Sequence, residues 1–376
     1  MNGAFDYTSG ARKIAFRYPV LSYIGTQINF WTLSFFLLAT IIHFTALMIN
    51  EVSQSLIPVS FVSAVIISII LGMLLGTILG LLDLLVDRSR FNRFSLGIII
   101  LIRTLTYPFI LFGLVSLLQN VIWGLVITPY YPETTEFVET NMAWKLLMII
   151  LLIYTTIMGA IISFINQMNK KFGPGILIPM LMGRYQKPRD QERFFMFLDL
   201  RSSTHHAERL GHIAYSAMIR DSFMDINHVV SKNNGEIYQY VGDEVVISWL
   251  VNEGARKLSC FNFFFDVQDI FHERKGHYEK YFGFVPEFKA GMHFGLVTAV
   301  EVGEVKRDIA YHGDILNTTA RIQGLCNKYN QDFLVSEAVS RIPEAKASFL
   351  IESLGEVSLR GKDKTVEIFS VRRKVS

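Results

Sequence analysis

Four long apolar runs, at about Ile28 to Ile49, Ile57 to Leu82, Ser95 to Ile127 and Ala143 to Ile165, constrain this chain before anything else does. Each reaches or exceeds the ~20 residues that a helix needs to cross a ~30 Å hydrocarbon core. The expectation is four spanning helices. The third run is longer than one span requires, and Pro108 within it is a candidate kink. The first 27 residues are polar and aromatic without a cleavable apolar core, so no signal peptide is expected. With 376 residues, 51% of them hydrophobic, the chain is too apolar for one ordinary soluble domain and long enough for a membrane part plus a globular part. Cys260 and Cys326 both lie in the polar half, show no metal-ligand spacing, and read as reduced thiols.

A net charge of +3 is too small to argue for nucleic acid, and its distribution carries more information. Arg12, Lys13 and Arg17 precede the first run, Arg88, Arg90 and Arg93 fill the second connection, and Lys170, Lys171, Arg184, Lys187 and Arg189 follow the fourth. The connections NEVSQS and PYYPETTEFVETN lack Lys and Arg, and the second carries Glu133, Glu136 and Glu139. The positive-inside rule then puts both chain ends in the cytoplasm of a multi-pass inner (plasma) membrane protein. The expected division is a cytoplasmic segment at 1–27, a four-helix membrane domain at 28–169, a coupling linker at 170–192 and a cytoplasmic domain at 193–376. The apolar patch Ile176 to Met182 in that linker needs a cover.

Inside the spans, Gly72, Gly76 and Gly80 recur every four residues, which offers a smooth stripe to a neighbouring helix or is simply the glycine content of membrane helices. Arg103 and Asp83 lie within apolar runs, where a charge either snorkels or finds a partner. Too few ionisable groups lie in the spans for a transport pathway.

From Arg193 onward the pattern reads strand (194–200), helix (204–232), strand (236–241), a Gly-Asp turn, strand (245–250) and helix (253–275). Strands at 288–302 and 308–311, a helix at 314–330 and strands at 333–336 and 365–371 follow. This βαββαβ order with additions is a ferredoxin-like α+β sandwich. In it the end of the first strand, Asp199, neighbours the hairpin that carries Asp243. Two converging carboxylates without a local basic partner suit Mg²⁺. The turn after Asp199 opens a helix whose free N-H groups suit a polyphosphate, with Thr204 or one of Ser202 and Ser203 as its cap.

The stretches FLDLRSST, YQYVGDEVVISW, AGMHFGLV, YHGDILNTTARI and LRGKDKTVEIFSV resemble, in order over residues 190–372, the signatures of the class III nucleotidyl cyclases, the adenylate and guanylate cyclase catalytic domain. The resemblance implies Asp199, Asp243 and the carbonyl of Leu200 as ligands of two Mg²⁺ or Mn²⁺ ions, and Asn317 with Arg321 as the pair that stabilises the transition state. It implies substrate contacts from the Ser202–Thr204 turn, Gly242, Lys289 and Arg360, and base recognition by Gln239 and Ala310. It also implies a nucleoside triphosphate substrate whose 3'-hydroxyl attacks its α-phosphorus, and a head-to-tail homodimer; the four apolar runs would anchor it in a lipid bilayer. Histidines 205, 206, 293 and 312 are expected to be structural.

At the base-reading positions the chain departs from the family. Gln239 stands where adenylate cyclases usually carry Lys and guanylate cyclases Glu, and Ala310 stands where they carry Asp or Thr, or Cys. Gln both donates and accepts, so neither purine is excluded. ATP is favoured, with GTP or a pyrimidine triphosphate as alternatives. VGDEV also resembles the GGDEF hairpin of diguanylate cyclases, but Val241 replaces the first Gly there, and that family has no role for an Asn317 and Arg321 helix. A catalytically dead receptor or scaffold is disfavoured because all four of Asp199, Asp243, Asn317 and Arg321 are intact.

Overall fold

The computed structural model describes residues 18–53, 60–88, 95–122, 142–172, 177–359, 362 and 365–374. The chain divides into two compact units, Met1–Leu177 and Ile178–Ser376.

In the first unit, α1 (Pro19–Ser53), α2 (Phe61–Arg88), α3 (Leu96–Ile122) and α4 (Met142–Phe172) are four helices long and apolar enough to cross a membrane. Pro108 is held inside α3. Their shared core is Trp31, Phe35, Leu38, Leu75, Leu79, Tyr107, Leu111 and Ile162. The glycine stripe of α2 is a contact surface: a Cβ on Gly72 would lie 2.4 Å from Thr32 Cα, and one on Gly76 would lie 2.6 Å from Ile28 Cα. Asp83 and Arg103 pair at 3.1 Å, both side chains 3% exposed, and Tyr23 and Tyr107 donate hydrogen bonds of 2.8 and 2.9 Å to the same carboxylate. Burial among helices makes a paired charge cheaper than a lone one, so the pair forms and Arg103 does not snorkel.

The second unit is built on one sheet of β1 (Arg189–Leu200), β2 (Glu236–Val241), β3 (Glu244–Leu250), β4 (Phe288–Val302), β5 (Asp308–His312), β6 (Phe333–Ser336), β7 (Phe349–Val357) and β8 (Val366–Arg373). The strand order is β2-β3-β1-β4-β6-β8-β7, with β5 paired to β4. Its longer helices are α5 (Ser203–Lys232), α6 (Ser259–Glu273), α7 (Lys275–Phe282) and α8 (Asp314–Gly324). The β2-β3-β1-β4 portion is the expected ferredoxin-like core, and among the described residues only the β4–β6 pairing is parallel. Alternation along β1 sends Phe194, Met196, Leu198 and Leu200 into the main core with α5 and α6, while Phe195 lies in a second cluster with Val246, Val297 and Ile315 of α8. Residues of opposite parity therefore face α8, and Asp199 is one of them.

Several sequence expectations are corrected. β1 begins at Arg189, inside the expected linker, because Arg189 to Glu192 pair with Leu296 to Ala299 of β4. Leu181 and Met182 of the apolar patch are 77% and 80% exposed, so the described residues do not cover them. The long helix expected over 253–275 is broken, with α6 starting only at Ser259 after Lys257 and Leu258 adopt positive φ. The helix expected over 314–330 is interrupted at Leu325, between α8 and a short helical turn at Cys326–Tyr329, and the sequence pattern does not announce α7 and β7.

Candidate active site

Asp199 is the penultimate residue of β1, and Asp243 is the second residue of a two-residue turn closed by the Val241–Glu244 pair. Gly242, the first residue of that turn, has φ +64, which glycine adopts without steric cost. Because β3 lies beside β1, Asp199 stands opposite Glu244, the residue after Asp243. Two acids distant in sequence thus meet at one end of the sheet.

Their electrostatics are strained. Burial, then the fields of Asp199 and Asp243, push the Glu244 carboxyl up to about 7, with Lys289 partly offsetting them. Tyr215 on α5 is pushed up to about 12 by burial and by Asp243 and Asp199. Asp243 Oδ2 is shielded from solvent and has no hydrogen-bond partner among the described residues, a condition that buried carboxylate oxygens rarely tolerate. Among the described residues no three His, Cys, Asp or Glu side chains close on one point. A divalent ion that takes one or two carboxylates plus substrate phosphates needs no such cage, and the orphaned Asp243 oxygen beside Asp199 fits it.

Lys289 corrects the expectation of acids without a basic partner. It pairs with Asp199 across β1 and β4, its Nζ lying 3.2 Å from Asp199 Oδ2 and 3.4 Å from Asn327 Oδ1. In this state it neutralises an acid and does not reach into solvent toward a phosphate. Arg360 lies outside the described residues. Nearby Lys362, not singled out by sequence, pairs with Asp314 at 2.6 Å and holds that carboxyl below its usual range.

The turn after Leu200, whose side chain is buried, places Ser202 at the N-cap of α5 with φ 54 and no side-chain cap bond. The capping role offered to Thr204 is therefore not taken, since the helix starts at Ser203 and Thr204 is exposed inside it. The first N-H groups of α5 keep their capacity for an anion.

α8 presents two faces. Ile315, Thr318, Thr319, Ile322 and Gln323 are buried against the sheet, and Gly291 of β4 allows the approach, since a Cβ there would lie 2.3 Å from the Gln323 nitrogen. Asn317 is exposed and Arg321 half-buried on another side of the helix, one turn apart. Gln323 Nε2 donates a 2.9 Å hydrogen bond to Asp199 Oδ2. The structure thus brings Asp199, Asp243 and Lys289 together and aligns Asn317 with Arg321, and it is the unforeseen Gln323 that faces the acids from α8.

Gln239 is exposed on β2 opposite Val246, and Ala310 sits on β5 opposite Val300. Their chain neighbours meet: the Tyr311 N-H donates to Tyr238 Oη at 3.3 Å, with ring centroids 5.0 Å apart. Among the histidines, His206 stacks on Phe284 at 3.9 Å and His293 Nδ1 lies 2.7 Å from Ser336 Oγ, while His205 and His312 are exposed. Both cysteines are buried free thiols, and burial pushes each up, Cys326 to about 12.

Residues 186–372 match the family described as the adenylate and guanylate cyclase catalytic domain. This domain belongs to the class III cyclases. Adenylate cyclase 2 of Rhizobium meliloti (strain 1021) is 32% identical over 220 residues, covering 58% of this chain and 61% of that protein. The adenylate cyclase of Anabaena cylindrica is 25% identical over 181 residues, covering 47% of this chain and 36% of that protein. The chain thus matches about three fifths of the first relative's length and about a third of the second's. The crystal structure of the adenylyl cyclase CyaB from P. aeruginosa superposes with a TM-score of 0.43 at 16% identity, covering 50% of this chain and 97% of that one. Class III cyclases act on nucleotides and generally use divalent metal ions, and the four apolar helices before the domain are suited to anchor it in a membrane.

Proposed function

We propose that this chain is a membrane-anchored cyclase that converts ATP to 3',5'-cyclic AMP and pyrophosphate in sites shared between two copies. The observation that carries the shared site is the orientation of α8: Gln323 faces the chain's own Asp199 while Asn317 lies exposed. Two helical positions apart, Arg321 and Gln323 project about 200° from one another, so Arg321 is aimed away from the acids its own helix touches. A head-to-tail homodimer brings the acids of one chain to Asn317 and Arg321 of the other and creates two equivalent sites.

In such a site Asp199, Asp243 and the Leu200 carbonyl would hold the divalent ions, which lower the pKa of the 3'-hydroxyl and neutralise charge on the leaving phosphates. Arg321 places a fixed positive charge beside the phosphorus as it gains a fifth oxygen, and Asn317 orients the ribose or phosphate through its amide. The opening of α5 cradles the polyphosphate with backbone N-H groups. ATP is favoured because the curated relatives at 32% and 25% identity are adenylate cyclases. GTP is the second reading, since Gln239 and Ala310 fit neither usual base-reading pair.

Purified protein given Mn²⁺ or Mg²⁺ with each nucleoside triphosphate in turn, with products identified by mass, tests the reaction. Cyclic AMP is expected; cyclic GMP supports the second reading, and a cyclic dinucleotide or no product from any nucleotide overturns both. Co-expression tests the sharing. Asp199→Ala and Arg321→Ala are each expected to be inactive alone and to recover up to about a quarter of wild-type activity together, if chains pair at random and the sites act independently. Failure of rescue while heterodimers co-purify rules out shared sites. For the anchor, both chain ends are proposed to lie in the cytoplasm, and a cysteine placed at Glu136 should label from outside; labelling only after the membrane is opened reverses the topology.

A further inference from the structure

We infer that Gln323 is a positioning residue for the metal-binding acid of its own chain, although it lies on the helix whose Asn317 and Arg321 serve the partner's substrate. This rests on the shared-site reading above.

Gln323 is 7% exposed, and its Nε2 donates to Asp199 Oδ2 at 2.9 Å. The same oxygen takes Lys289 Nζ at 3.2 Å. Both donors meet on one carboxylate oxygen, and among the described residues no hydrogen bond or ion pair engages Oδ1, which keeps its capacity for a cation. Lys289 has a flexible stem and a second acceptor in Asn327 at 3.4 Å, so it can leave when a cation brings positive charge to Asp199. Gln323 cannot follow it. Its backbone is pressed onto Gly291, where even a methyl group would approach the Gln323 nitrogen to 2.3 Å, and a neutral amide is not repelled by an arriving cation. The uncharged donor is therefore the one suited to stay on Asp199 whether or not metal is bound. Such outer partners of a metal-binding carboxylate commonly change metal affinity 10- to 100-fold when removed.

The position on α8 makes the idea separable from a general role in helix packing. In a heterodimer of Asp199→Ala with Arg321→Ala, the working site takes its acids from the Arg321→Ala chain and its arginine from the Asp199→Ala chain. Gln323→Met, close in volume and without a donor, placed in the Arg321→Ala chain is expected to raise the Mn²⁺ concentration for half-maximal activity about tenfold, with kcat at saturating Mn²⁺ retained. The same substitution in the Asp199→Ala chain should leave the Mn²⁺ requirement where it was. Mn²⁺ binding to the nucleotide-free full-length Gln323→Met protein in nanodiscs, followed by electron paramagnetic resonance, should weaken by the same factor at an unchanged melting temperature.

An effect confined to the arginine-donating chain, or Mn²⁺ binding equal to wild type, overturns the inference while the shared site stands. If the parent heterodimer shows no rescue, the shared-site reading fails instead, and the resonance measurement on the homogeneous variant still decides whether Gln323 acts on Asp199.

Discussion

Asp199 and Glu244 stand directly opposite each other on β1 and β3, two carboxylates in one cross-strand pair. Antiparallel neighbours in register share a face with their Cβ atoms about 5 Å apart, where like charges repel. Glu244→Gln is therefore expected to stabilise the metal-free protein by about 0.2–1 kcal/mol, read as a higher melting temperature in chelator. A lower melting temperature would mean that the glutamate supports the fold through contacts the pairing does not reveal.

Base selection is expected to pass through Gln239, exposed on β2 near the Tyr238–Tyr311 contact. Removing its amide should cost about 1–3 kcal/mol of nucleotide discrimination or binding. Gln239→Lys with a polar partner at Ala310 should sharpen the use of ATP. Equal ratios of kcat/KM among nucleotides for Gln239→Ala and wild type would place base reading elsewhere.

In the membrane unit, Arg103→Leu removes the cation beside Asp83, whose side chain is 3% exposed. Stranding that charge should cost about 3–5 kcal/mol. Thermal unfolding in detergent should show the double variant Arg103→Leu, Asp83→Asn closer to wild type than the single one. A double variant as unstable as the single one would show that the pair is not what the bundle needs there.

His293 supplies a pH dependence. Burial, followed by the charge of Lys362, lowers it from 6.5 to about 4, so the folded protein holds it neutral. A base with a depressed folded pKa binds fewer protons folded than unfolded between those values. Its contribution is thus present above about pH 6.5 and is lost as pH falls toward 4, amounting to at most about 3 kcal/mol. The melting temperature of wild type should fall relative to that of His293→Gln between pH 7.5 and pH 5; parallel pH profiles would assign the acid sensitivity to other groups.

Much of the architecture could be read from the chain because the signals were local. Runs of twenty or more apolar residues need no partner to declare a span, and a hydrophobic strand ending in Asp199 or a Gly-Asp turn between β-branched runs carries its own geometry. The glycine stripe of α2 and the Asp83–Arg103 pair were legible only as alternatives. Choosing between them required knowing which helix faces which, and the antiparallel approach of Ile28 to Gly76 and the packing of Tyr107 beside Asp83 supply that. β7 was missed because alternation fails in it: Glu352, Ser353, Gly355 and Glu356 break the apolar pattern, and the strand is held by backbone pairing to β8.

At the site, the residue types and their order were determined by the sequence alone: acids at Asp199 and Asp243, an amide and a guanidinium one turn apart at Asn317 and Arg321. What only the tertiary structure decided was who touches whom. Lys289 and Asp199 are far apart in the chain and meet because β4 lies beside β1. Glu244 enters the field of Asp199 through the β1–β3 register, and Gln323 reaches the same carboxylate because Gly291 lets α8 down onto the sheet. Side-chain chemistry is encoded residue by residue, but charge pairing falls off within a few ångströms, and distances of that size across a sheet are set by strand order and helix approach.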